Sequence, residues 1–436
     1  MTMRVRGVVM LVAGLAIMGL ASCGHYNCAS GANFGSANCT PSGGGISQGP
    51  GGTGSATAAF VFVADAAGTG TTGTIDGYTL NTSASTFAAT PSYTAPATPL
   101  NDGGVGLVVA QEKFLYTGFP STEQILGWSI GADGTLTAAG SPYTAPFMST
   151  VPAGLGTQSI MVNPAGTLLF FSTLHDKVYV YQIGSGGVLT EATGSPFSVS
   201  FGGNLATDGL GNYLYITDAS GHTGTGIAAY VIGSTCATAG SACTLTPVPG
   251  SPFVGANYSM WQVQGEPTGN YLIGTTGQSV AVNGTDNDNL YVFGITTSGA
   301  NAGAITQLGS VSTGANSPLG IAVQSNTNGN LVYSFGIEDS VPALGFNPVD
   351  GFSLSSTGTL TQLSTSPFSN AAVGDQGELD QSGAFLFVYG AILNESTQTF
   401  TYQMGAFDVG SDGTLTQPTS TLTLTNGGYF AVTDPQ

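Results

Sequence analysis

Cationic residues are nearly absent from this chain. Its 436 residues include 4 Lys+Arg against 23 Asp+Glu, and charged residues make up 6% of the total, far below the roughly 25% of an ordinary soluble domain. A nucleic-acid partner is excluded, because phosphate neutralisation needs a cationic surface. A helical bundle or coiled coil is excluded too, since their faces are built from Glu, Lys, Arg and Leu. Histidine occurs three times, at His25, His175 and His222. The sequence has no P-loop, no Gly-x-Ser-x-Gly elbow and no His-Glu-x-x-His pair. What is abundant is glycine, at 68 residues, and hydrophobic side chains, at 41%. That much apolar matter builds a large core and argues against disorder.

Residues 1–22 combine Arg4 and Arg6 with an apolar run from Gly7 to Leu20. The run is shorter than the roughly 20 residues that a spanning helix needs, and the order of charge, apolar run and small residues is that of a signal peptide. Leu20-Ala21-Ser22-Cys23 resembles the bacterial lipobox. The resemblance implies cleavage before Cys23, lipidation of its thiol and a protein held in the cell envelope. Gly24, in place of an aspartate, points by the same resemblance to the outer membrane. A lipid anchor attaches a soluble domain to a membrane without a spanning helix. Beyond residue 22 the only cations are Lys113 and Lys177, against 23 acids. Such a surface repels anions and acidic headgroups. The other cysteines form two local couples, Cys28/Cys39 and Cys236/Cys243. Each reads as a disulfide closing a short loop in an oxidising compartment. Zinc is the alternative, though neither couple has CxxC spacing or a nearby histidine pair.

Residues 23–58 are rich in Gly, Ser, Ala and Asn and read as a flexible tether. From residue 59 to 436 the chain repeats itself. One apolar phrase recurs seven times: FVFVAD (60–65), FLYTGF (114–119), LLFFST (168–173), YLYITD (213–218), YLIGTT (271–276), LVYSFG (331–336) and FLFVYG (385–390). A second phrase follows each, from IDGYTL (75–80) to MGAFDV (404–409), with an aromatic residue at its fourth position in every copy. A third carries a Thr-Leu-Thr flavour. A fourth phrase precedes the first in six units; its seventh copy, YFAVTD (429–434), lies at the C-terminus. Four short strands in units of about 54 residues predict an all-β fold, a seven-bladed β-propeller. The displaced seventh copy predicts that the last strand completes the first blade and closes the ring. Turns such as Ser185-Gly186-Gly187 and Ser411-Asp412-Gly413 supply the positive φ of tight hairpins between second and third phrases. Ser-Pro-Phe at 195–197, 251–253 and 366–368, with Ser-Pro-Tyr at 141–143, reads as the exit from a blade, because proline cannot donate to a ladder.

The Gly-Thr-Leu-Thr phrases, the Gly-Ser-Pro-Phe segments and the Asn163-Pro164-Ala165-Gly166 turn resemble those of lactonase-like propellers, the family that includes 6-phosphogluconolactonase-like proteins. The resemblance covers residues 59–436 and implies the seven-bladed fold; the phrases that carry it are structural. A phosphorylated lactone normally calls for Arg or Lys, and the scarcity of both argues against a sugar-phosphate ligand here.

Three groups of residues are candidates for chemistry. Asp375, Glu378 and Asp380 surround the seventh inner strand, and Asp208 and Glu266 end two others. Converging, they would act as a general base on a lactone carbonyl, with Glu378 and Asp380 catalytic, or hold calcium. Read separately, they are turn caps. His175, beside Asp176 and Lys177, is a second candidate base, against the alternative of a solvated loop tip. Asp286 and Asp288 lie in the oxygen-rich segment 283–289, which suits calcium but lacks the EF-hand spacing. Two functions from different classes follow. One is a binding or scaffold module for envelope glycan or protein. The other is a lactonase for neutral or hydrophobic lactones, assisted by calcium.

Overall fold

The computed structural model describes residues 57–65, 74–81, 86–90, 93–94, 106–119, 124–140, 143–144, 159–173, 176–217, 226–255, 258, 260–276, 289–314, 316–326, 329–338, 349–368, 376–394, 399–416, 421–424 and 428–435. Its strands form seven antiparallel sheets, and the four main strands of each follow one another in hydrogen-bonded order. The innermost strands are Leu107–Ala110, Ser159–Val162, Leu205–Thr207, Gln262–Gly265, Asn316–Asn326, Gln376–Leu379 and Phe430–Thr433. Each lies beside the next, and the last returns to the first, so the sheets are the blades of a ring. We number the blades from the one holding Thr57–Asp65. Its inner strand is C-terminal: Phe60 pairs with Thr433 and Val63 with Phe430, and Ala64 N–H donates to the Tyr429 carbonyl at 2.8 Å. The repeat thus closes as its phrasing predicts.

The burial pattern follows from this stacking. Inner and second strands are covered on both faces, as in Ser159–Val162 and Leu168–Thr173, which is why they read as unbroken apolar runs. Third strands are nearly as buried; the short outer strands Leu136–Ala138 and Leu189–Glu191 are mostly exposed. The core is accordingly a set of layers between blades. Val108, Phe114 and Tyr116 of blade 2 pack on Ile160, Leu169 and Phe171 of blade 3, and the pattern recurs around the ring. Trp128, Phe293 and Phe352, three of the repeated third-strand aromatics, are fully buried. Each contributes roughly 1.5–3 kcal/mol of apolar burial. Tyr116, Tyr215 and Tyr333 stitch blades together as well: their hydroxyls donate to the carbonyls of Gly187, Gly303 and Gly413, in the outer turns of the following blades.

The Ser-Pro segments differ from the sequence expectation. They do not leave the blade. The outer strand is broken in two, and the piece after the proline returns to the start of the third strand: Val178 pairs with Phe197 and Ile227 with Phe253. The three described Ser-Pro bonds, at 195–196, 251–252 and 366–367, are cis. The serine hydroxyls take over the ladder at the break, accepting from Val180, Ala229 and Gly351 N–H groups at 3.1, 2.8 and 3.0 Å. Proline removes a donor from an edge strand, and the preceding serine supplies an acceptor in its place.

Cys236 and Cys243 form a disulfide. It clips the outer hairpin of blade 4, which docks on blade 3 through Cys243 N–H to the Thr193 carbonyl and Gln182 Nε2 to the Cys236 carbonyl. Cys23, Cys28 and Cys39 lie outside the described residues. No helix among the described residues is long and apolar enough to cross a membrane.

Candidate functional site on the inner strands

The hairpin from inner to second strand puts one polar residue at a fixed place. Asn163 holds it in blade 3, Asp208 in blade 4, Glu266 in blade 5 and Asp380 in blade 7. Asn163 Oδ1 accepts from Thr167 and Leu168 N–H groups at 2.9 and 2.8 Å. Asp208 Oδ1 makes the same pair of contacts with Asn212 and Tyr213, at 2.7 and 2.8 Å. Glu266 Oε1 accepts from Asn270 N–H at 2.7 Å and Oε2 from Thr268 N–H at 2.8 Å; Asn330 Nδ2 of blade 6 adds a third contact to Oε2 at 3.0 Å. Asp380 Oδ1 accepts from Phe385 N–H at 2.7 Å.

An amide performs this task in blade 3, so negative charge is incidental to it: these are turn caps. They are buried caps. Burial raises the proton affinity of Asp208 despite its backbone donors. Asp208 and Glu266 are thereby engaged by their own turns and are not gathered into a metal site. Among the described residues no three His, Cys, Asp or Glu side chains come together in a group that would hold a metal ion.

Glu378 is different, because it lies within an inner strand. The ring leaves one edge of every inner strand without a ladder partner, and its N–H and C=O groups must be satisfied from elsewhere. Side chains of the preceding blade supply the partners. Ser159 Oγ accepts from Leu205 N–H at 3.3 Å. Asn204 Nδ2 donates to the Trp261 carbonyl at 2.6 Å. Glu378 accepts from the backbone N–H of Val432 across the closing seam, yet its burial holds the carboxyl well above the usual range.

The same face of these strands carries further uncharged polar groups. Gln376 lies two residues before Glu378, and Gln264, two residues before Glu266, holds in blade 5 the level that Glu378 holds in blade 7. Both are almost fully buried, as is Asn204. Gln376 Nε2, Gln264 Oε1 and Asn204 Oδ1 have no hydrogen-bond partner among the described residues. A buried polar atom left unpaired costs about 1–3 kcal/mol, so such atoms mark places where something else belongs. Sequence reasoning passed over these amides. Their signal was present in WQVQGE (261–266), where glutamines interrupt a phrase that is apolar in VGLVVA (105–110).

Asp380 also meets Asp434, which follows the closing strand. The two carboxyls are in hydrogen-bonding contact. Burial, reinforced by the charge of Asp434, pushes Asp380 up to about 7. His175, Asp286 and Asp288, with Asp375 and His222, lie outside the described residues. The flanks of His175 have their own partners: Asp176 Oδ1 accepts from Gly202 N–H at 2.9 Å, and Lys177 Nζ donates to Ser198 Oγ at 2.6 Å.

Seven four-stranded blades closed by the C-terminal strand define a seven-bladed β-propeller, and solved structures that share this fold include proteins described as lactonases. A protein from Lactobacillus plantarum superimposes with a TM-score of 0.60 at 18% identity, over 86% of this chain and 99% of that one. A candidate 6-phosphogluconolactonase from Bacteroides uniformis gives 0.59 at 13% identity, over 86% and 100%. A periplasmic gluconolactonase from Pseudomonas aeruginosa gives 0.55 at 14% identity, over 87% and 99%. No family model and no curated protein sequence matches the chain. At these identities the shared property is the fold.

Proposed function

We propose that this propeller is an envelope-displayed binding module for a neutral, hydroxyl-rich ligand such as a glycan, taken up against the inner strands. The observation that carries the reading is the set of buried, unpartnered amide atoms on Asn204, Gln264 and Gln376. Amides exchange hydrogen bonds with hydroxyl and carbonyl groups and bring no positive charge to an anion. A sugar phosphate is disfavoured by the scarcity of cations. Two findings support an envelope location: the Cys236–Cys243 disulfide suits an oxidising compartment, and one protein of the same fold is periplasmic. Anchoring through a lipid on Cys23, in the outer membrane, is part of the same proposal.

The test is binding of uncharged and phosphorylated oligosaccharides and lactones to the protein by calorimetry, beside Gln264→Leu and Gln376→Leu. Binding of a neutral member, weakened at least tenfold in both variants, supports the reading. Binding that is unchanged in the variants places the ligand elsewhere.

Glu378 favours a second reading, hydrolysis of a neutral lactone. A carboxyl on the inner wall whose proton affinity burial raises is suited to act as general acid for a departing alkoxide. Turnover of a lactone panel, with calcium and with chelator, decides it. Activity lost in Glu378→Gln with the fold intact establishes the enzyme, and calcium dependence identifies a metal electrophile.

A further inference from the structure

We propose that Asp380 and Asp434 share one proton across the seam between blades 7 and 1, so that the ring is latched more tightly at mildly acidic than at alkaline pH. The geometry is that of two carboxyls bridged by one serine, Ser382. Asp380 Oδ1 takes Phe385 N–H at 2.7 Å, and its Oδ2 takes the Ser382 hydroxyl. Asp434 Oδ2 takes Ser382 N–H at 3.0 Å. The Gln381 backbone N–H also lies against the Asp434 carboxyl, while Asp434 Oδ1 is buried and has no well-aligned hydrogen bond among the described residues. The carboxyls touch, and two carboxylate oxygens in contact need a proton between them.

The position gives the pair its consequence. Asp434 directly follows Phe430–Thr433, the strand that completes blade 1, while Asp380 caps the inner hairpin of blade 7. Among the described residues, the other charged groups facing the pair come from the inner turn of blade 2. Glu112 is itself raised by burial and by Asp434, and Lys113 opposes that rise. Burial raises both members of the pair. A carboxyl with raised proton affinity in the fold stabilises it fully below the unfolded value near 4, and that stability is lost as pH rises through the folded value. For Asp380 that value is about 7, so the loss falls between about pH 5 and 8.

The experiment compares the full-length protein with Asp434→Asn. Asparagine keeps an oxygen for Ser382 N–H and offers its own N–H to Asp380, so no shared proton is needed. Hydrogen exchange of the peptide containing residues 430–433 is followed from pH 5.5 to 8.5 and corrected for intrinsic rates. The expected result is that wild-type protection falls about tenfold or more over this range, while the variant stays nearly flat and is the better protected at pH 8.5. Glu378 is unchanged in the variant, so any contribution it makes is common to both proteins and cancels from the difference. If Asp434→Asn does not fold, Asp380→Asn makes the mirror exchange, with Phe385 N–H on its oxygen and its N–H on Asp434. Parallel pH profiles in wild type and variant overturn the proposal. So does recovery of wild-type protection at pH 8.5 on adding millimolar calcium, since the pair would then hold a cation.

Discussion

Replacing Asp208 by asparagine and by alanine separates a turn cap from a metal ligand. In the folded protein Asp208 Oδ1 takes Asn212 and Tyr213 N–H at 2.7 and 2.8 Å, while Oδ2 makes only two long contacts, with Leu210 N–H at 3.3 Å and Asn212 Nδ2 at 3.4 Å. Asparagine retains the oxygen that carries both short bonds, as Asn163 does in blade 3. It also removes a carboxylate whose ionisation burial opposes. Asp208→Asn is therefore expected to lie within about 1 kcal/mol of wild type. Alanine leaves two well-formed N–H groups without an acceptor, at about 1–2 kcal/mol each after partial rescue by water at the exposed Leu210 side of the turn. Asp208→Ala is expected to lose about 2–4 kcal/mol. Urea unfolding followed by tryptophan fluorescence reads both, since Trp261 lies on the neighbouring blade and its carbonyl receives Asn204 and Thr217. The capping argument is refuted if asparagine costs as much as alanine. It is equally refuted if calcium raises the wild-type midpoint and leaves that of Asp208→Asn unmoved.

Two further substitutions probe how blades meet. A Cβ on Gly265 would stand 2.4 Å from the Thr207 carbonyl oxygen and 2.9 Å from Asp208 Cα, both rigid backbone of blade 4. Gly265→Ala is expected to cost about 2–3 kcal/mol, against little for Gly309→Ala, where nothing lies within 4 Å; equal melting temperatures would contradict this. Tyr215→Phe removes the hydroxyl that donates to the Gly303 carbonyl at 3.0 Å and is expected to lose about 1–2 kcal/mol in denaturant titrations. A wild-type midpoint would show that this contact between blades 4 and 5 carries no stability.

Much of the architecture was legible because it is repeated. The seven apolar phrases fall on the second strands, as LLFFST does on Leu168–Thr173 and FLYTGF on Phe114–Phe119. Their aromatic partners fall on the third strands. Ring closure could be read from one displaced phrase, since a strand copy without a blade must complete a blade without a strand. The turn glycines were legible for a local reason: Gly187 and Gly413 have φ of 74° and 85°, which other residues avoid. The Ser-Pro segments were legible as breaks but not as to where the chain goes next. Proline's lost donor forbids an unbroken ladder and is silent on whether the strand resumes. That depends on the serine hydroxyl reaching Val180, Ala229 or Gly351 across the sheet.

The candidate site was legible as a list of acids at inner-strand ends, and not as a set of roles. By itself the sequence determined composition, period, blade number and the order of closure, because these depend on side-chain pattern along the chain. Only the tertiary structure decided that Asp208 and Glu266 face their own turns, that Glu378 reaches Val432 with its proton affinity raised by burial, and that Asp380 meets Asp434. The physical reason is that a carboxyl's function depends on which donors surround it and how far water is excluded. For Glu378 and Asp380 both are set across the closing seam, by a blade that lies about 54 residues away in the chain; for Asp208 and Glu266 the donors come chiefly from their own turns and the packing of the blades excludes the water.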